Sequence, residues 1–273
     1  MRYCLNVPNF GDYHDPDTVA GLAVDAEDAG WDGFFTWDHL QGYGPVGDPL
    51  VALAAVAVRT TRIRLGAMIT PLPRRRPWKV AKETVSLDHL TKGRLTVGVG
   101  LGNPSQEYSA FGEDPDPRVR AEKLDEGLDI LTGLWTGEPF SYHGKHYRLE
   151  ETTFTPKPIQ PRIPIWVAGF WPNRRPFRRA ARFDGVYPTR DWPGSLTVDD
   201  LRRILDYIAG HRRSTGPFDV VVGGQTPHEA EEGAETVKPW MKAGATWWSE
   251  DINGWRGSLD EMRERIRSGP PRT

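Results

Sequence analysis

Short apolar runs alternate along the chain with longer stretches in which apolar residues recur every three or four positions. The short runs read as strands and the longer stretches as helices. Residues 2–7 (RYCLNV) form the first predicted strand, ending at Pro8. Asp17 or Thr18 is placed to cap a helix running to residue 29, with Val19, Leu22, Ala23 and Ala26 as its inner stripe and Gly30 as its stop. Asp48 and Pro49 open an apolar helix to residue 60. Further strands are predicted at residues 33–37, 63–68, 165–169, 184–188, 218–223 and 245–248. Further helices are predicted at 78–90, 118–134, 174–181, 198–211, 229–243 and 259–266. Residues 140–154 (FSYHGKHYRLEETTF) read as a hairpin turning at His143 and Gly144, with alternating aromatics that would cover one end of a barrel.

The stretch 93–102 (GRLTVGVGLG) is a strand with two apolar or small faces: Leu95, Val97 and Val99 alternate with Thr96, Gly98 and Gly100. Such a strand is buried on both sides, as in a parallel sheet covered by helices. Gly98, Gly100 and Gly102 mark a close approach to the backbone, by a ligand or by a neighbouring strand in a crowded interior. Strand and helix alternate eight times, which is the count of a single (β/α)₈ TIM barrel, here with a β-hairpin inserted after the fourth helix. A doubly wound open sheet is the alternative, but these glycines do not match the G-x-G-x-x-G phosphate fingerprint.

Composition narrows the function. The 273 residues carry a net charge of -2, so nothing draws the chain as a whole to nucleic acid or to an anionic membrane. The lone Cys4 rules out an intrachain disulfide, and with no signal peptide in the first ten residues the expected location is cytoplasmic. No apolar run approaches the roughly 20 residues of a membrane span. The 11 tryptophans fall largely at predicted loop edges and suit a pocket with aromatic walls, or a habit of core filling.

In a barrel the chemistry sits where the strands end. His39, after the second strand, is the best acid–base candidate, because an imidazole moves protons near neutral pH. Its neighbour Asp38 could orient it, or could merely cap the loop. No histidine or carboxylate set has metal-ligand spacing, so no metal is expected, and no G-x-S-x-G nucleophile elbow occurs. The segment GFWPNRRP places Asn173, Arg174 and Arg175 at a helix start, a phosphate site unless the arginines are simply solvated. Of Arg74, Arg75 and Arg76, at least one should form a structural ion pair. Trp37, Tyr43, Tyr108, Trp171 and Trp192 are candidate walls for an apolar or aromatic small-molecule substrate.

These stretches together resemble the bacterial luciferase-like family of flavin-dependent oxidoreductases. The resemblance is carried by PNFG, AEDAGWDGFFTWDHL, the run from RIRLGAMITP to TVGVGLG, and FGEDPDPRVRAEKLDEGLDILTGLWTG through RRAARFDGVYP. It implies a barrel that holds reduced FMN, or alternatively the deazaflavin F420, at its C-terminal mouth. With FMN it implies oxygen chemistry on a small organic substrate and a separate flavin reductase as a possible partner; with F420 it implies hydride transfer. A non-catalytic flavin-binding protein is the reading from another class. His39 falls on the family's active-site histidine. Met68, Ile69 and Thr70 fall where many members have a non-proline cis peptide that supports the ring. Gly100, Leu101, Gly102, Ala168, Gly169, Phe170 and Asn173 fall on the stretches that hold the cofactor's chain and phosphate. Two departures stand out: Asn103 replaces the glutamate that related sugar dehydrogenases use as an acid, and Leu101 replaces an arginine of the true luciferases. Relatives often pair through helices near the second and third strands, and the apolar helix at 50–58 suits either a homodimer face or the core.

Overall fold

The computed structural model describes residues 1–191 and 193–271. Trp192, a candidate substrate wall, lies outside the described residues.

The chain order is β1 (Arg2–Val7), α1 (Pro16–Asp28), β2 (Gly33–Thr36), α2 (Pro49–Arg59), β3 (Arg64–Ala67), β4 (Thr70–Pro71), α3 (Pro77–Thr91) and β5 (Val97–Gly100). There follow α4 (Gln106–Ser109), α5 (Pro117–Leu134), the hairpin β6 (Pro139–His143) and β7 (Arg148–Thr153), and β8 (Ile165–Trp171). The chain ends with α6 (Arg175–Ala180), β9 (Gly185–Arg190), α7 (Val198–Ala209), β10 (Asp219–Gly224), α8 (Ala230–Lys242), β11 (Trp247–Asp251) and α9 (Leu259–Arg267).

Nine strands hydrogen-bond in the order β3-β2-β1-β11-β10-β9-β8-β5-β4. The ladders between them are parallel. β3 and β4 are one stave, interrupted by a cis peptide between Met68 and Ile69. Leu65 bridges to Leu95 and Thr70 pairs with Val99, which joins that stave to β5 and closes the ring. The result is the (β/α)₈ barrel that the alternation predicts.

Alternation along each strand divides the apolar residues into two cores. Cys4, Phe35, Met68, Trp166, Val221 and Trp247 fill the barrel, with Ile69 and Tyr187 packed against them. Leu5, Phe34, Leu65 and Val97 belong to the larger core that reaches the helices.

The helix starts are set by short polar side chains. Asp48 caps α2 as expected, accepting from Leu50 and Val51 N–H. The cap of α1 is Asp15 rather than Asp17 or Thr18: Pro16 fits the first turn, and Asp15 accepts from Thr18 N–H at 2.8 Å. α2 buries Ala52, Leu53, Val56 and Ala57 and turns Val51 and Val58 outward.

The hairpin differs from expectation in two ways. Its turn spans residues 144–147, closed by Gly144 N–H donating to Tyr147. It also lies along α5 instead of covering a barrel end. Glu126, in the middle of α5, accepts from the N–H groups of Lys145, His146 and Tyr147, and Phe140 packs on Gly133. No helix among the described residues is long and apolar enough to cross a membrane.

Candidate active site

His39 follows β2, Arg74 follows β4, Glu107 lies on α4 after β5, Asn9 follows β1 and Trp255 follows β11. Parallel strands deliver all of these loops to one rim. Asn9 fixes the backbone of His39 from both sides: its amide donates to the His39 carbonyl at 2.9 Å, and its oxygen accepts from His39 N–H at 3.1 Å.

The carboxylate that orients His39 is Glu107, not Asp38. His39 Nδ1 lies 3.0 Å from Glu107 Oε1, and Leu40 N–H donates to the same oxygen at 3.0 Å. Arg74 donates to the other oxygen. Burial works against the charge on Glu107, but hydrogen bonds from His39 and Leu40 and the charge of Arg74 hold its carboxyl below the usual range. An ionised carboxylate only accepts, so Nδ1 carries the imidazole hydrogen and Nε2 is left as the basic nitrogen.

Asp38 has a different task. Its fully buried carboxylate accepts from Arg74 at 2.7 Å and from Arg75 at 2.8 Å. Two of the three adjacent arginines are therefore structural, as expected, and they tie the loops after β2 and β4 together.

Aromatic rings surround the imidazole. Tyr43 stands 4.9 Å from it, Phe10 5.7 Å and Trp37 5.9 Å, centroid to centroid. Phe10 stacks on Tyr43 at 4.5 Å, and Trp255 closes the group at 5.7 Å from Phe10. Trp37 and Tyr43, two of the candidate substrate walls, thus stand beside the imidazole. Phe10 and Trp255 join them unanticipated. Tyr108 and Trp171 do not: Tyr108 is buried with its hydroxyl on the Leu101 carbonyl, and Trp171 packs edge-on against Phe177 of α6.

The glycines of β5 make room for the neighbouring stave. A Cβ on Gly98 would collide with the carbonyl of Ala67, and one on Gly100 would meet Ile69 Cδ1 at 2.9 Å and Ala168 Cβ at 3.7 Å. Ile69, Gly100 and Ala168 therefore form one shelf beside the cis Met68–Ile69 bond, and the adjacent Thr70 is buried. Gly102 has a φ of +77° and offers its carbonyl to Arg120. Gly169 is filled from outside by Pro176, and Phe170 is exposed.

The helix start after β8 lies on the same rim, and its candidate phosphate ligands each have a local contact. Asn173 accepts from Arg175 N–H at 3.2 Å. Arg174 lies over the ring of Tyr207 on α7, and Arg175 lines a groove between α5 and α6.

At the floor of the mouth Asn6 faces Asp251 across the β1–β11 ladder, its amide 3.4 Å from Asp251 Oδ1. The buried Asn6 Oδ1 has no hydrogen-bond partner among the described residues. Burial, reinforced by the charge of Glu250, pushes the Asp251 carboxyl up to about 7, against the opposing pull of Asn6 and Arg256. No group of three or more metal-ligating side chains occurs among the described residues.

The chain is a closed parallel barrel with a carboxylate–imidazole pair on its rim, buried at Glu107 and half-buried at His39. Residues 4–270 match the family model of the luciferase-like monooxygenases, and the chain belongs to that family. It is 34% identical over 207 residues to the F420-dependent glucose-6-phosphate dehydrogenase of Nakamurella multipartita, covering 73% of this chain and 58% of that protein. The chain thus spans about three-fifths of that relative's length. The fold matches the coenzyme F420-dependent tetrahydromethanopterin reductase of Methanopyrus kandleri with a TM-score of 0.79 at 17% identity, covering 98% of this chain and 96% of the other. It matches the monooxygenase RslO1 of Streptomyces bottropensis with a TM-score of 0.78 at 20% identity, covering 98% and 97%.

Proposed function

We propose that the chain is an oxidoreductase that takes the deazaflavin F420 at the barrel mouth and uses His39 to hold or move the proton that accompanies hydride transfer. The family resemblance alone leaves FMN and F420 open and leans to FMN. The relative at 34% identity is named for F420, which reverses that order.

The residues present fit such a group. The unpartnered Asn6 Oδ1 on the floor suits the imide N–H that flavins and deazaflavins share, and the Ile69–Gly100–Ala168 shelf offers a flat apolar support. Asn6, Asp251 and the shelf would hold the ring, and the loops after β5 and β8 would hold its side chain. When bound, the cofactor would supply a hydride in its reduced form and accept one in its oxidised form.

The observation that carries the reading is the Glu107–His39 pair. With Glu107 ionised, Nε2 of His39 is free to take a proton from a substrate hydroxyl, or, once protonated, to give one to a carbonyl oxygen. Glu107 stabilises the imidazolium that results. Arg74 and Asp38 fix Glu107 in turn, so the imidazole cannot swing away. Phe10, Trp37, Tyr43 and Trp255 line the space around it and favour an apolar or aromatic alcohol or carbonyl compound. A sugar phosphate fits less well, since Asn103 is exposed and carries no acidic group.

Titration with F420 and FMN side by side, followed by absorbance and fluorescence, tests the cofactor. F420 should bind more tightly; tight FMN binding without F420 binding would return the reading to FMN chemistry. His39→Ala should keep cofactor affinity and lose at least tenfold in turnover, within the range of a lost general acid–base group. Unchanged turnover would remove His39 from the mechanism.

A further inference from the structure

A groove of about 720 Å³ runs between α5 and α6 on the outer wall of the barrel. Five arginines line it: Arg118, Arg175, Arg178, Arg179 and Arg182. Its carboxylates are already engaged. Asp125 holds Arg179 through two bonds, at 2.6 and 2.9 Å, and Glu122 accepts from Lys145 and His146 of the hairpin at 2.8 Å each. Arg182 pairs with Asp129 at 2.6 Å. Arg118, Arg175 and Arg178 are left, and among the described residues none of them has a carboxylate within ion-pair distance.

Three unpaired guanidinium groups on facing helices repel one another unless an anion lies between them. The chain carries a net charge of -2, so this local excess is not general basicity. Its position is informative as well. β5 and β8 are adjacent staves; α5 starts in the loop after β5, and α6 starts four residues after β8. Arg118 and Arg175 stand in the first turns of those helices, so the upper end of the groove opens on the rim beside residues 169–173. A ligand reaching it from the mouth must be a flexible chain with several negative charges. Guanidinium forks suit carboxylates, which they grip with two parallel bonds.

We propose that this groove binds the oligoglutamate tail of F420 as it leaves the mouth. The proposal rests on the F420 reading and deepens it. FMN ends at its phosphate and has nothing to place here, so the groove also selects between the two cofactors.

Binding of two forms of F420 tests it: one with several glutamates, and one hydrolysed back to the phospholactyl group. Titrations of the full chain by fluorescence quenching should find the tailed form on the order of fivefold tighter at roughly 50 mM salt, with the gap closing near about 0.5 M as exposed charges are screened. Arg118→Gln with Arg178→Gln should erase the gap and leave affinity for the trimmed form unchanged. Both side chains are exposed, and circular dichroism checks that the variant folds. Equal affinity of the wild type for both forms would overturn the proposal. So would a variant that weakens both forms in the same ratio, which would put the arginines on the phosphate. Failure of both forms to bind would overturn the F420 reading and this inference with it.

Discussion

Asp251 and Glu107 are two buried carboxylates at one mouth, and their surroundings push them in opposite directions. Glu107 accepts from His39, Leu40 and Arg74, which favours its charge. Asp251 is stripped of water and stands beside Glu250, which favours its proton against the long contact from Asn6 and the charge of Arg256. The folded Asp251 therefore binds a proton that the unfolded chain releases between 3.8 and about 7. The stability from this group is complete below the unfolded value and is lost as pH rises through the folded one, a change of about 4 kcal/mol. Asp251→Asn has no such window. Urea titrations from pH 4 to pH 8 should show the variant gaining on the wild type as pH rises; a constant difference would mean that Asp251 is ionised throughout. For Glu107→Gln the carboxylate is gone, Nδ1 loses its fixed acceptor, and turnover should fall at least tenfold while F420 affinity holds. Equal turnover would show that Glu107 only packs the loop.

At the scale of elements, β5 is shaped by the stave beside it. Gly98 has no room for a Cβ because the Ala67 carbonyl, just before the Met68–Ile69 bond, already occupies that space. Gly98→Ala should therefore destabilise the barrel by about 1–3 kcal/mol, the usual cost of overpacking, with no change in denaturant m-value. A neutral result would mean that the stave relaxes freely. The run of glycines was legible in the sequence, but two causes fitted it, and only the register of adjacent staves chooses between them. The strands and helices were legible for a simple reason: periods of two and of three to four are written locally. The ion pairs were not, because they join loops far apart in the chain. Asp38 and Arg74 lie 36 residues apart and His39 and Glu107 68, and Glu107 sits in a polar loop with no period of its own. One signal was available. Adjacent staves bring their loops together, so Asp38 after the second strand and the arginines after the third were neighbours by topology, before any coordinates.

For the whole molecule, the mouth leaves a buried acceptor unpartnered and an aromatic cluster partly open, with Trp255 69% and Tyr43 37% exposed. A ligand that fills the mouth binds the folded chain alone, so it must raise the unfolding temperature by mass action. At a hundredfold excess over its dissociation constant the gain is about 2.7 kcal/mol, which for a chain of this size is a rise on the order of 5–10 °C in Tm. Thermal scans with F420 should show that rise saturating with concentration, and FMN at the same concentration should give less. The same scan separates an enzyme from a barrel that only carries its cofactor. If the imidazole handles protons and the floor and shelf hold the ring, His39→Ala should show the full thermal shift while turnover collapses. A carrier would show the shift in both proteins and turnover in neither. A chain that shifted with neither cofactor would have a mouth built for some other occupant, and the Glu107–His39 pair would then need a substrate that brings its own reactive group.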